Sequence, residues 1–264
     1  MIDTKKNRGN LYLYLQERDI LGKIGILLHS KNFRLGSDGK WRRPYAAMWD
    51  TPWIHQYNDG GQECEIWHNV FFPKYKWVPT YCKNCWKVVV MPRTVVELFD
   101  LYELQKELEH QCKCGIELRA TDNRRYGGYF YNWGQEEGQK CYEKVRKAVS
   151  KQISPEVGVV LKCSCTEYEI DCGPPNDWVA SKEQLFIEDA MRRYVVQATE
   201  NFRQDDNMRI YVMLKWIHHA AMTSDPTYKE FTSGKDITFN PKTYHVDWTT
   251  FNNKKERKNG KMAK

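Results

Sequence analysis

Two short cysteine pairs carry the plainest chemistry in this chain. Cys82-Lys83-Asn84-Cys85 is a CxxC preceded by Tyr81, and Cys112-Lys113-Cys114-Gly115 is a CxC followed by glycine. Two such pairs supply four thiolates, enough for a tetrahedral Zn²⁺ with Zn–S near ~2.3 Å. A CxxC turn aims backbone N–H groups at sulfur, and Gly115 frees the second turn to take a positive φ. There are nine cysteines, an odd number, and residues 1–10 are polar with no apolar signal region. Metal ligation in a reducing, cytoplasmic setting therefore fits better than a secreted disulfide framework. The expected cofactor is Zn²⁺ on Cys82, Cys85, Cys112 and Cys114, with a structural role.

This pairing resembles zinc-ribbon and treble-clef knuckles over residues 81–117, and the resemblance implies a zinc-stabilised scaffold. It departs from those knuckles in the CxC of its second pair and in a spacer that reads as helical. Other ligand sets stay open. Cys64 and His68 would complete a Cys3His site with Cys82 and Cys85, leaving Cys112 and Cys114 unexplained. Cys163, Cys165 and Cys172, joined by Cys141, would make a second site. Cysteines at i and i+2 lie well apart along a strand, so chelation by that set needs a bulge.

The charge pattern points to a partner. Net charge is +7, much of it in Lys254, Lys255, Arg257, Lys258, Lys261 and Lys264 at the end. Residues 67–96 hold Lys74, Lys76, Lys83, Lys87 and Arg93 and no acid, interleaved with Tyr81, Trp86 and other rings. Arg124, Arg125 and Tyr126 open a second aromatic–basic segment that runs to Trp133. Cations that track phosphate and rings that stack on bases suit a single strand of DNA or RNA. Nucleic acid is the expected partner, met by Lys74, Lys76, Tyr81, Lys83, Trp86, Lys87, Arg93, Arg124, Arg125 and Tyr126. The competing reading puts the rings in the core and the lysines beside them in solvent.

Two other functions stay open. The tryptophans at 41–53, the acidic helix over 97–109 and the basic end could be assembly surfaces for a protein partner, as in a phage or mobile element. Glu167, Glu169 and Asp171 share one face of an expected strand and could hold Mg²⁺ for phosphodiester cleavage. No H-E-x-x-H, G-x-S-x-G, Walker A or G-x-G-x-x-G motif is present, and no catalytic residue is assigned. His218 and His219 point to different sides of their helix and cannot serve one site. No apolar stretch is long enough to span a membrane, so no membrane partner is expected.

The elements that must position these residues read as an α+β fold. Strands are expected at 11–15, 64–72, 86–91, 115–121 and 157–171 from apolar alternation. A helix is expected over 20–28. Thr94 and Glu97 form a capping box for a helix to about His110, and Ser181 and Gln184 form another. Helices are further expected over 135–150 and from Asp205 or Asp206. Gly173-Pro174-Pro175-Asn176-Asp177 is the best internal boundary. The expected organisation is an α+β zinc domain over 1–172, a helical pair packed on it over 173–222, and an extended basic tail over 223–264.

Overall fold

The computed structural model describes residues 25–26, 28–30, 34–37, 41–42, 51–57, 64, 66–194 and 204–238. The strand expected at 11–15, most of the 20–28 helix, most of the tryptophan loops and the basic 254–264 end lie outside them. The fold is α+β. Two short strands, β1 (Arg34–Leu35) and β2 (Trp41–Arg42), form a ribbon. A five-stranded sheet contains β3 (Trp53–Gln56), β4 (Cys85–Met91), β5 (Cys112–Ile116), β6 (Tyr126–Trp133) and β7 (Gly158–Cys163). Its order is β3-β5-β6-β4-β7, and every neighbouring pair is antiparallel. The helices are α1 (Phe72–Tyr75), α2 (Val95–Leu108), α3 (Gln135–Gln152), α4 (Thr166–Cys172), α5 (Lys182–Tyr194) and α6 (Asp206–Met222). None of the described helices is long and apolar enough to cross a membrane.

From β4 to β7 the chain runs β-α-β-β-α-β, with sheet order β5-β6-β4-β7, which is the split βαβ arrangement. Local chemistry sets its corners. The β-branched run Val88-Val89-Val90 builds the central strand β4, and Pro92 ends it. Thr94 then caps α2, accepting from Glu97 N at 3.2 Å, while the Glu97 carboxylate accepts from Arg93 N at 2.7 Å. Glu109 in the left-handed region (φ 48°) stops α2 at Leu108.

Register decides which side chains meet, because residues directly opposite in an antiparallel pair share a face. One face carries Ile54, Val88, Val90, Cys112, Cys114, Ile116, Tyr126, Phe130 and Val159. Three helices seal it, through Leu98 and Leu101 of α2, Val145 and Val149 of α3, and Val212 and Trp216 of α6. Each such apolar side chain contributes about 1.5–3 kcal/mol when fully buried. Gly128 lets Leu101 of α2 pack close to the sheet, since a Cβ would stand 2.3 Å from Leu101 Cδ2. Gly115 likewise admits the edge strand, where a Cβ would lie 2.1 Å from Pro52 O.

Several sequence expectations change. Residues 66–75 are helical, not a strand, and bury Trp67, Val70 and Phe71 at helical spacing. The expected 157–171 strand stops at Cys163, because Ser164 takes φ 58° and α4 begins at Thr166. Helices α5 and α6 do not form a pair. The buried residues of α5, Ile187, Ala190 and Met191, pack on Ile66, Trp67, Val70 and Phe71, whereas α6 joins the main core. Residues 223–238 are not an extended tail. Pro226–Phe231 form a 3-10 turn, and Tyr228 enters the main core. Buried Asp225 accepts from Val95 N at 2.6 Å and from the Tyr126 hydroxyl at 2.7 Å.

Candidate nucleic-acid interface

The second face of the sheet has a different chemistry. Its side chains are Trp53 and His55 of β3, Lys87, Val89 and Met91 of β4, Lys113 of β5, Tyr129, Tyr131 and Trp133 of β6, and Val160 and Lys162 of β7. One row across the strands reads His55, Lys113, Tyr129, Val89, Val160, and the next places Tyr131, Lys87 and Lys162 side by side. The Lys113 ammonium sits 4.6 Å from the Trp53 ring and 5.5 Å from Tyr129, and Lys87 lies 5.8 Å from Tyr131. Burial, followed by the Lys87 and Arg119 charges, pulls the Lys113 pKa down to about 8. Burial, then Lys113, holds the neighbouring His55 imidazole neutral, with a pKa of about 3.

The loop between β5 and β6 adds two arginines. Buried Glu117 accepts from Arg119 at 2.6 Å and from the Tyr129 hydroxyl at 2.7 Å, which fixes the loop on the sheet. Arg124 pairs with Asp122. Lys87, Arg119, Arg124 and Lys162 then line one cavity of about 110 Å³ with Tyr129 and Cys165. Since a liquid water occupies ~30 Å³, this space admits a group of a few heavy atoms, and the ion pairs of Arg119, Arg124 and Lys162 with Glu117, Asp122, Glu167 and Glu169 offset part of the charge in its lining. Cys165 Sγ lies 2.8 Å from Lys87 Nζ. Burial opposes ionisation of Cys165, yet Lys87 and His68 together bring its pKa down to about 6.

The structure redistributes the residues expected at a zinc knuckle. Cys112 pairs with Phe130 and Cys114 with Gly128, so both lie in the helix-covered core. Cys85 pairs with Trp133, three positions along β6 from Phe130 and therefore on the other face. Cys82 is buried in a separate cluster with Phe72, Val78, Tyr168 and Trp178. The four thiols of the expected set thus do not converge, and no knuckle pair forms. Among the described residues, no three His, Cys, Asp or Glu side chains stand in an arrangement that holds a metal ion.

The expected nucleic-acid residues also divide. Lys87 and Arg124 line the cavity. Lys76 pairs with Asp171 at 2.5 Å and lies over the Phe72 ring, while Lys74 lies over Tyr75. Lys83 is exposed in the turn Thr80–Asn84, and half-buried Tyr81 packs against apolar clusters below it. Arg93 is held by Glu97 and Glu156. Arg125 is exposed beside β6. Trp86 pairs with Asn132 on the covered face and lies under α3, where a Cβ at Gly138 would sit 3.0 Å from it. Tyr126 is fully buried on Asp225 and cannot stack on a base. Lys113, Arg119, Tyr131, Trp133 and Lys162 belong to the face instead. For Tyr131 and Trp133 the signal in the sequence is the two-residue spacing along β6.

The carboxylates once grouped for Mg²⁺ are on a helix and serve three different cations. Glu167 pairs with Arg119 at 3.1 Å, Glu169 with Lys162, and Asp171 with Lys76. No family model matches the chain, and neither the curated proteins nor the solved structures contain a match.

Proposed function

We propose that this protein binds single-stranded nucleic acid on the sheet face opposite α2, α3 and α6. A backbone phosphate enters the cavity of Lys87, Arg119, Arg124 and Lys162, and bases stack on Tyr131 and Trp133. The observation that carries this reading is the convergence of four cations on one cavity in the face those three helices leave free. Trp133, 59% exposed at the end of central strand β6, supports it as a stacking platform. By analogy of architecture alone, four-stranded sheets with helices on one face commonly stack bases on aromatics of the other. Ion pairs to Glu117, Asp122, Glu167 and Glu169 offset much of the local charge, which favours a short contact on one strand over an extended polyanion track.

Fluorescence anisotropy with labelled single-stranded DNA and RNA across a salt series tests this. Trp133→Ala is expected to weaken binding by roughly five- to 150-fold, since stacking contributes ~1–3 kcal/mol per base. Lys162→Gln is expected to flatten the log–log salt slope by about 0.7. Lys83→Gln, off this face, leaves the slope unchanged. Equal affinity for duplex, or a slope that responds only to Lys83, removes this face from the interface.

A further inference from the structure

We propose a zinc site formed by Cys64, His68, Cys82 and Cys165, a set that differs by one ligand from the Cys3His alternative open in the sequence. It does not rest on nucleic-acid binding, although Cys165 and Lys87 also line the cavity proposed for the phosphate. Cys64 and His68 are both helical and four residues apart, the spacing that sets side chains on one side of a helix. The His68 ring stacks on Tyr168 with centroids 4.3 Å apart. Tyr168 shares a buried cluster with Cys82, and Cys165 packs against that cluster. Two cysteine-bearing turns lie side by side here: Ser164 N donates to Cys85 O at 2.7 Å, and Cys163 Sγ to Lys83 O at 3.3 Å.

Three features around these donors lack a partner of the right kind. The Tyr168 hydroxyl and the Ser164 hydroxyl are buried without a hydrogen-bond partner. Lys87, whose ammonium has no carboxylate partner among the described residues, has the Cys165 sulfur as its acceptor. A neutral thiol is a poor acceptor for the Lys87 ammonium, and a thiolate is a good one. Three thiolates, a neutral imidazole and Zn²⁺ sum to −1, which the adjacent Lys87 cancels. Such donors to ligating sulfur are the usual outer layer of a metal site. Burial, then the nearby sulfurs of Cys64, Cys165 and Cys85, push the Cys82 thiol up, with Lys87 opposing them, and His68 hydrogen-bonds Cys165. The four donors do not yet converge on a point, so metal binding draws the 64–68 turn toward Cys82 and Cys165. Zinc would then fasten the helical segment before β4 to the β4–β7 edge of the sheet.

The test uses full-length protein purified without chelator, reconstituted with Zn²⁺ or Co²⁺. A single zinc is expected, with an X-ray absorption shell of three sulfurs near ~2.3 Å and one nitrogen near ~2.0 Å. The cobalt form should show the intense visible absorption of a tetrahedral thiolate site. Cys165→Ser and His68→Ala should lose the metal, His68→Cys should keep it with an all-sulfur cobalt spectrum, and Cys112→Ala with Cys114→Ala should keep it unchanged. A four-sulfur shell in the wild type, metal lost only with Cys112 and Cys114, or folded protein that takes up no zinc overturns the proposal. The set with Cys85 in place of Cys165 gives the same shell, so Cys85→Ser should keep the metal, and its loss there with retention in Cys165→Ser also overturns the proposal.

Discussion

Phe130 and Tyr131 are neighbours in the chain, yet they belong to two different materials. Phe130 lies with Cys112, Cys114 and Val88 beneath three helices, fully buried. Tyr131 lies with Lys87 on the other side of the same strand. Cysteines divide in the same way. Cys112 and Cys114 act as small apolar side chains, and their pKa values are raised by burial. Cys165 meets an ammonium and an imidazole. Residue type therefore does not set the role. The parity of a position in its strand sets it for Phe130, Tyr131, Cys112 and Cys114, and the left-handed turn at Ser164 sets it for Cys165, past the end of β7.

Phe130→Ala should break this contrast most visibly. Loss of a buried ring costs about 3–5 kcal/mol, readable in urea unfolding. Tyr131→Ala should cost much less stability and instead lower oligonucleotide affinity; equal losses would mean that the two faces are not distinct. Asp225→Ala comes next. It leaves the Tyr126 hydroxyl and Val95 N–H unpaired in the core, at about 1–3 kcal/mol for each donor. The Asp225 carboxyl is held below its usual range: burial opposes this, but hydrogen bonds from Tyr126, Thr227 and Val95 outweigh it. Its contribution is complete above about pH 4 and is lost as pH falls through the lower folded value, so Asp225→Asn should flatten the acid limb of the stability curve.

The smallest expected effect lies on the second face of the sheet. Lys113, with its pKa near 8, should lose its charge there, so affinity for a single strand should fall as pH rises through that value. Lys113→Arg should move the fall upward. In the unfolded chain this lysine keeps its proton to about pH 10.4. Between pH 8 and about 10.4 the unfolded state therefore binds more protons, and this group makes folding more favourable as pH rises.

What was legible in the sequence was local. Thr94, Ser181 and Asp205 each cap the helix expected of them, because a cap needs only the next three residues. The run 85–91 reads as a strand from its valines alone. The alternation over 157–171 misled, because it continues in composition through Ser164, where the backbone turns left-handed. The metal set misled for a related reason. Cys82-x-x-Cys85 and Cys112-x-Cys114 look matched in the sequence, but only the pairing of β4 and β5 through β6 puts them on opposite faces. That register joins residues far apart in the chain, and no local pattern encodes it. Lys113 was hidden for the same reason: it stands between two core cysteines and points the other way.

The bond from Asp225 to Tyr126 and Val95 bears on how much of this chain constitutes a folding unit. Residues 225–237 supply the acceptor for the first turn of α2, a hydroxyl partner for the start of β6, and Tyr228 and Ile237 for the main core. An autonomous fragment must therefore reach past the last helix to about residue 238. One cut at Met222, where the helices end, should behave as a partly open, protease-sensitive species although every strand of the sheet is still present.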